Sequence, residues 1–250
     1  MAKKKRQKRG FLVALLIGFD EQKIHFWKVY THSVKRYTHL SLSNKWKYAD
    51  FKQKYQYFEE IVNILRPIVK NGLKSILLAN PLKLNYSSDF LVHINKHHRW
   101  LVSSRKDNQV SFGQIKGYAR DLNEARLLIE QSNSLDILLE TSSDESKLLT
   151  NLLEKTINKS DDKTSVLYGL QEIEEFIYMG GKKDKSVAEK LDYLLISDNF
   201  IADHKNKNRI YRLKQIAENK GIITRVFSKD TPAGNRINQY GGIVCFKKFD

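Results

Sequence analysis

The 250 residues predict an α/β protein built as two layered domains. Three observations carry that expectation. Short apolar runs of strand length recur, among them FLVALLIG (11–18), LKSILLA (73–79) and LDYLLIS (191–197). Longer segments between them repeat apolar residues at helical spacing. Strands alternating with helices bury their apolar sides against one another only in a layered α/β arrangement.

The elements follow in chain order. Residues 1–10 (MAKKKRQKRG) have no apolar periodicity and read as a disordered basic arm. The apolar run from Phe11 to Phe19 follows that arm as a signal peptide would. It is short, however, and Asp20-Glu21 follows without a small-residue cleavage site, so it reads as a strand. Phe11 to Leu42 then forms a three-stranded meander, with Ile24 and Phe26 on one face and Val34 to Leu42 as a more polar strand. His25, His32 and His39 recur every seven residues, which puts consecutive ones on opposite strand faces and argues against a metal site.

A basic, aromatic loop from Ser43 to Ala49 leads into a helix whose Phe51, Tyr55, Phe58, Val62, Leu65 and Val69 form one apolar stripe for the core. Pro67 kinks it or marks its last turn. Gly72 ends it before the strand 73–79. Asn80-Pro81 turns the chain, and Ser87-Ser88-Asp89 caps a helix from Phe90 to His98. That helix carries His93, His97 and His98. A zinc site requires a third ligand nearby, and no carboxylate or thiol stands close in sequence, so the cluster reads as solvated or RNA-facing. Arg99 to Ser103 reads as a strand. Tyr118 to Glu130 reads as a helix burying Ala119, Leu122, Ala125 and Ile129. These elements make a first domain over 11–133.

Residues 134–163 form a linker helix region with Leu148, Leu149, Leu152, Leu153 and Ile157 on its apolar face and Ser143-Asp144 as its cap. The second domain, 164–250, opens on a helix with Leu170, Ile173, Phe176 and Ile177, stopped by Gly180-Gly181. The strand 191–197 follows. GIITRVFS, PAGNRINQ and YGGIVCFKKF then repeat strand, helix and strand.

The net charge of +16 is concentrated near the N-terminus. Residues 1–10 carry six basic residues and no acid; residues 23–106 carry 16 basic and four acidic. Such a pole favours a polyanion, and RNA or a ribosome is the usual one. The arm's Lys3, Lys4, Lys5, Arg6, Lys8 and Arg9, with Lys45, Trp46, Lys47 and Tyr48 in the aromatic loop, are the candidate RNA contacts, since cations pair phosphates and rings stack on bases. No apolar run reaches the length of a membrane span, and the lone Cys245 fits a buried strand residue in a reducing compartment. No phosphate-binding loop or nucleophile elbow is present. Asp20, Glu21 and Asp50 do not read as a two-metal cluster, because the first two lie in a turn. Neither a cofactor nor a metal is expected.

Several residues also carry a family resemblance. Tyr168-Gly169, Gly180 and Leu194 to Asp198 (LLISD) resemble the C-terminal domain of the Pelota family, ribosome-rescue relatives of the class-1 archaeal and eukaryotic release factors. Phe227-Ser228 to Gly234, Gly241-Gly242-Ile243 and Phe249 follow the same pattern. ILLANP (76–81), with Ser111-Phe112-Gly113 and Gly117-Tyr118, is similar to the central domain of that superfamily. The resemblance implies an RNase-H-like central domain followed by a smaller α/β/α C-terminal domain. It also implies partner contacts at Asn80, Pro81, Ser228, Gly234, Gly241 and Gly242. There are departures: Leu82 and Lys83 stand where the family has glycine and phenylalanine, and Thr231, Ala233 and Asn235 replace its His, Ser and Glu.

Release factors hydrolyse peptidyl-tRNA with a Gly-Gly-Gln loop at the position of Ser41 to Asp50, and no glycine occurs here between Phe19 and Asn71. The pair Gly113-Gln114 is expected at the head of a helix, in a structural turn. The family's additional N-terminal decoding domain has no counterpart in these residues. The resemblance therefore implies a cytoplasmic, monomeric, non-catalytic factor of ribosome rescue, mRNA surveillance and no-go decay. It would bind stalled ribosomes and rRNA in a tRNA-like manner and recruit a translational GTPase of the elongation-factor-1-alpha type or a ribosome-recycling ATPase. The alternatives are a stand-alone structured-RNA binder, with a C-terminal fold like that of ribosomal proteins that grip kinked RNA, and a peptidyl-tRNA hydrolase.

Overall fold

The computed structural model describes residues 11–81, 85–103, 109–159, 166–179 and 191–247. The chain divides into two compact units, Met1–Glu145 and Ser146–Asp250. The basic arm, with Lys3 to Arg9, and Gly180-Gly181 lie outside the described residues, as do Leu82 and Lys83.

In the first unit β1 (Leu12–Phe19), β2 (Lys23–Tyr30) and β3 (Ser33–Ser41) form an antiparallel meander. β4 (Ser75–Asn80) adds to β1 in parallel and β5 (Ser111–Lys116) adds to β4 in parallel, giving the order β3-β2-β1-β4-β5. Successive side chains of a strand point to opposite faces. Leu15, Ile17 and Phe19 of β1 therefore meet one core, and Ala14 and Leu16 meet the other. Burial on both faces explains why β1 and β4 are continuous apolar runs rather than alternating ones. The helices α1 (Phe51–Lys70) and α2 (Tyr86–His97) cover the first face. The helix α3 (Leu122–Glu130) and the start of α4 (Ser132–Lys159) cover the second, through Ala125, Leu128, Ile129, Ile137 and Leu138.

The second unit has its own sheet, in the order β6-β9-β7-β8. Its strands are β6 (Val166–Tyr168), β7 (Tyr193–Ser197), β8 (Ile223–Phe227) and β9 (Ile243–Phe246). β7 and β8 are parallel, and β9 runs antiparallel between β7 and β6. Helices α5 (Leu170–Met179), α6 (Asp198–Asp203), α7 (Lys207–Asn219) and α8 (Pro232–Gln239) surround it. Leu149 and Leu153 from the end of α4 pack with Ala233 and Ile237 of α8 on Tyr193, Leu195, Val244 and Phe246. The helices α5 and α7 pack against each other and against β9 and β8.

Several local expectations need correction. In α1, Phe58, Val62, Leu65 and Val69 are buried with Tyr57, Ile61 and Ile68, but Phe51 is 80% exposed and Tyr55 lies partly open. The core at that end of the helix is filled by Trp46 instead. Ser87-Ser88-Asp89 is not a cap: it forms the first turn of α2, whose N-cap is Asn85. Arg99 to Leu101 is a 3-10 turn rather than a strand, because the backbone there continues bonding locally, Leu101 N to His98 O and Val102 N to Arg99 O. A short apolar run such as RWLV does not distinguish the two states.

Gly113-Gln114 lies inside β5, paired with Leu77 and Leu78, and not at a helix head. A Cβ at residue 113 would sit 2.3 Å from Ile137 Cγ2, so this glycine lets α4 lie directly on the strand. The helix α3 begins at Leu122, capped by Asp121. Leu122 is exposed, and Ala119 is buried ahead of the helix, where its carbonyl accepts the indole N–H of Trp27 at 2.8 Å. Ser143 and Asp144 lie within α4 and do not begin it.

His25, buried in β2, pairs with His39 across β2 and β3 and stacks on Trp27 at 6.4 Å. Its Nδ1 has no hydrogen-bond partner among the described residues. Burial, aided by Arg36, holds its pKa below the usual 6.5, against the opposing pull of Asp20. The folded state therefore favours the neutral ring. That stability is present above pH 6.5 and is lost as pH falls through the depressed folded value. Melting temperature should accordingly drop on acidification from pH 6.5 towards about pH 5, and His25→Gln should flatten the drop. An unchanged pH profile in that variant would assign the dependence to other groups.

Candidate functional site

The loop from Ser41 to Asp50 is stitched to the β1–β2 turn. Leu42 N–H donates to Gln22 O and Trp46 N–H donates to Glu21 O, both at 2.9 Å. The Tyr57 hydroxyl of α1 meets Ser43 Oγ at 2.7 Å and accepts the Asn44 N–H at 3.2 Å. Asp50 and Gln53 close a reciprocal capping box that starts α1. The centre of the loop is Trp46. Its ring is 2% exposed and packs on Phe19, Tyr57, Phe58 and Tyr86, with ring centroids 4.6 to 6.2 Å away.

Trp46 is therefore not an RNA-stacking residue: the expectation that it meets bases is corrected by its burial. Lys45, Lys47 and Tyr48 do face solvent. Tyr48 is 69% exposed, and the Lys47 ammonium lies 4.8 Å from its ring centroid. The meander extends this surface. Lys28 Nζ stands 4.2 Å over the ring of Tyr37, and Lys35 Nζ stands 5.1 Å over that of Tyr30, on the edge strand β3 and its neighbour. Sequence reasoning missed these four. Their signal is the lysine and tyrosine spacing in KVYTHSVKRY (28–37), which becomes a set of pairs only once the hairpin register is known. A lysine over a tyrosine presents cation and ring together, the combination that binds phosphate and stacks on bases.

A second constellation joins α1 to the end of α2. Glu59 Oε1 lies 2.9 Å from His93 Nε2 and 2.7 Å from His98 Nε2. Both histidines are buried, and the Glu59 side chain is 29% exposed. Burial opposes the charge on Glu59, but the hydrogen bonds from His98 and His93 outweigh it and hold the carboxyl below its usual range. Burial likewise lowers His93, more strongly than Glu59 raises it. The carboxylate judged missing near these histidines comes from a helix 34 residues earlier, which no local spacing reveals. His97 lies outside that cluster and lines a surface cavity of about 310 Å³ that His93, Phe51, Tyr55 and Val92 also line.

The expected partner contacts have structural duties. Asn80 Oδ1 accepts the N–H of Ser87, and its carbonyl accepts that of Gly117, so it ties β4 to α2 and to the segment after β5; Pro81 is buried beside it. In the second unit Ser228 O accepts both the N–H and the hydroxyl of Thr231, whose Oγ1 caps α8 at Gly234. A Cβ on Gly234 would lie 1.9 Å from Ser228 O. Gly241 and Gly242 take φ of 92° and 85°, and Gly242 lies under Phe200. Cys245 is buried, and burial pushes its thiol up to about 12, which leaves it unreactive.

Comparison with known proteins adds the following. Residues 142–250 match the family model of eRF1 domain 3. A search of curated proteins found no match. Among solved structures, archaeal Pelota in a ribosome-bound model with ABCE1 superposes with a TM-score of 0.54 at 15% identity, over 97% of this chain and 62% of that one. Dom34 of S. cerevisiae, described as a translation termination-like factor involved in RNA quality control and interacting with Hbs1, gives 0.49 at 17% identity, over 94% and 63%. The Pelota protein of Thermoplasma acidophilum gives 0.38 at 16%, over 98% and 66%. The chain thus spans less than two thirds of the length of the first structures it matches. The archaeal Pelota match carries the fold: the expected sequence of an RNase-H-like unit and a smaller α/β/α unit is the observed one.

Two substitutions test the local assignments. Trp46→Ala should cost about 3–5 kcal/mol of stability through the cavity it leaves, measured by urea denaturation, whereas Lys45→Ala and Lys47→Ala should leave stability unchanged. A near-neutral Trp46→Ala would mean the loop is not anchored by its indole. Gly234→Ala should cost about 1–3 kcal/mol by forcing α8 away from the Ser228 carbonyl, with the neighbouring exposed Asn235→Ala as the silent control.

Proposed function

Because residues 142–250 match the family model of eRF1 domain 3 and the described units share the fold of archaeal Pelota, we propose that this chain is a non-catalytic translation factor that binds ribosomes. The observation that carries the reading is the pairing of an eRF1 domain 3 with a basic RNase-H-like unit. The latter presents an exposed lysine and tyrosine pair in its 41–50 loop and partly exposed pairs on the β2–β3 hairpin. Lys45, Lys47, Tyr48, Lys28 and Lys35 meet rRNA or a tRNA-shaped site, and the arm from Lys3 to Arg9 adds to the same electrostatic pole. The C-terminal unit is the protein-docking platform, where a translational GTPase of the elongation-factor-1-alpha type or a ribosome-recycling ATPase is recruited. A stalled ribosome in the cytoplasm is the natural target, and rescue, mRNA surveillance and no-go decay are the processes it serves.

The reading excludes peptide release for a chemical reason. Water attack on peptidyl-tRNA requires backbone that enters a narrow catalytic centre and a side chain that positions the water. The 41–50 loop has no glycine, is pinned by Trp46, and is stitched to the β1–β2 turn by two backbone hydrogen bonds. The one Gly-Gln pair, Gly113-Gln114, is held in the sheet by β4 and crossed by α4 at Gly113.

Gradient co-sedimentation tests the proposal. The full chain should travel with ribosomes, its binding weakening steeply with salt as phosphate counterions are released, by a log–log slope of about −0.7 per contact on single strands. Lys45→Ala with Lys47→Ala should flatten that slope by roughly one to two units while leaving melting unchanged. Programmed ribosomes should release no peptide. Peptide release lost in Gln114→Ala would overturn the non-catalytic reading. Equal affinity of the chain for any structured RNA and for ribosomes would favour a stand-alone RNA binder.

A further inference from the structure

We propose that Glu59, His93 and His98 form a binding site for one divalent transition-metal ion, zinc by preference, that clips α1 to the end of α2. Three ligand atoms converge from two separate elements: Glu59 Oε1, His93 Nε2 and His98 Nε2 lie within 4.8 Å of one another. Two imidazoles and one carboxylate are a donor set that suits zinc, with water completing a tetrahedron. Zinc bonds of about 2.0–2.1 Å to nitrogen and oxygen place tetrahedral ligands roughly 3.3 Å apart. The separations of 2.9 and 2.7 Å from Glu59 must each open by about half an ångström, while the two imidazole nitrogens, within 4.8 Å of one another, settle at the same spacing through rotation of their rings.

The surroundings hold the donors in place. Phe58, next to Glu59, packs on Phe90 and on the His93 ring, at 5.5 and 5.2 Å between centroids. The Tyr55 ring meets His93 edge-on at 4.9 Å. His93 and His98 are 7% and 6% exposed, so neither swings freely into solvent. The Glu59 side chain, more open, leaves one approach for the ion and for a water. Without metal, Glu59 Oε1 accepts from both Nε2 atoms. With metal, each ring moves its proton to Nδ1 and turns the Nε2 lone pair to the ion. His97 lines the adjacent cavity together with His93 and is not among the three converging groups.

The site is independent of ribosome binding, so its test does not depend on that reading. Full-length, tag-free protein stripped with a chelator is titrated with cobalt(II) as a spectroscopic probe and then with zinc(II) as competitor. One equivalent of cobalt should give the visible bands of a four-coordinate site, and zinc should displace it and raise the melting temperature. Glu59→Gln, His93→Gln and His98→Gln should each abolish the bands, whereas His97→Gln should keep them. Wild-type protein with no visible bands and no zinc-dependent melting shift would overturn the proposal and leave a hydrogen-bonded triad. Bands that survive Glu59→Gln and His98→Gln, with those variants still melting cooperatively, would overturn it too, by placing the ion elsewhere.

Discussion

The burial of one indole organises the first unit. Trp46 enters from a polar loop and fills the space between Phe19 at the end of β1, Tyr57 and Phe58 on α1, and Tyr86 at the start of α2. An aromatic ring of this size removes a large apolar area from water, which outweighs the entropy of ordering a short loop. The consequences spread in two directions. Outward, the same turn that buries Trp46 leaves Lys45, Lys47 and Tyr48 on the surface. Inward, α1 and α2 are brought together at Phe58 and Phe90, and this sets Glu59 opposite His93 and His98.

That arrangement bears on the proposal that the loop binds rather than catalyses. A loop that must thread into a catalytic centre benefits from glycine and freedom of backbone. This one has a buried anchor, backbone bonds to the β1–β2 turn, and a capping box at its exit. Preorganised cations and rings lose little entropy when they meet a phosphate backbone, so a rigid loop is consistent with the RNA contact proposed for it. The lysine and tyrosine pairs on the β2–β3 hairpin share this character.

In the second unit, close backbone approach plays the part that the indole plays in the first. Gly234 permits α8 to lie against the Ser228 carbonyl, and Gly242 permits the turn before β9 to pass under Phe200. Positions expected to meet partners from their family pattern thus also hold the fold. The side chains that differ from the family, Thr231, Ala233 and Asn235, include the N-cap of α8 and a core residue.

What the sequence by itself determined was the layered α/β class, the strand runs of the meander and of β4, β7, β8 and β9 in chain order, and the apolar faces of β1, β4, β7 and the middle of α1. Each of these rests on local periodicity, and burial on one or two faces writes itself into a run of neighbours. The lack of a Gly-Gln in the 41–50 loop was equally legible, since it is a matter of composition. Only the tertiary structure decided the rest. Trp46, one aromatic in a basic loop, reads alike for RNA and for core until Tyr57 and Tyr86 are brought beside it. Phe51 and Tyr55 continue a stripe whose core has already ended. Gly113-Gln114 became strand because β4 and α4 claim its two sides, and Arg99 to Leu101 became a 3-10 turn because its hydrogen bonds closed locally. The Glu59, His93 and His98 cluster was invisible because its carboxylate and imidazoles lie on different helices. Spacing along a chain reports neighbours on one element, and only packing reports neighbours across two.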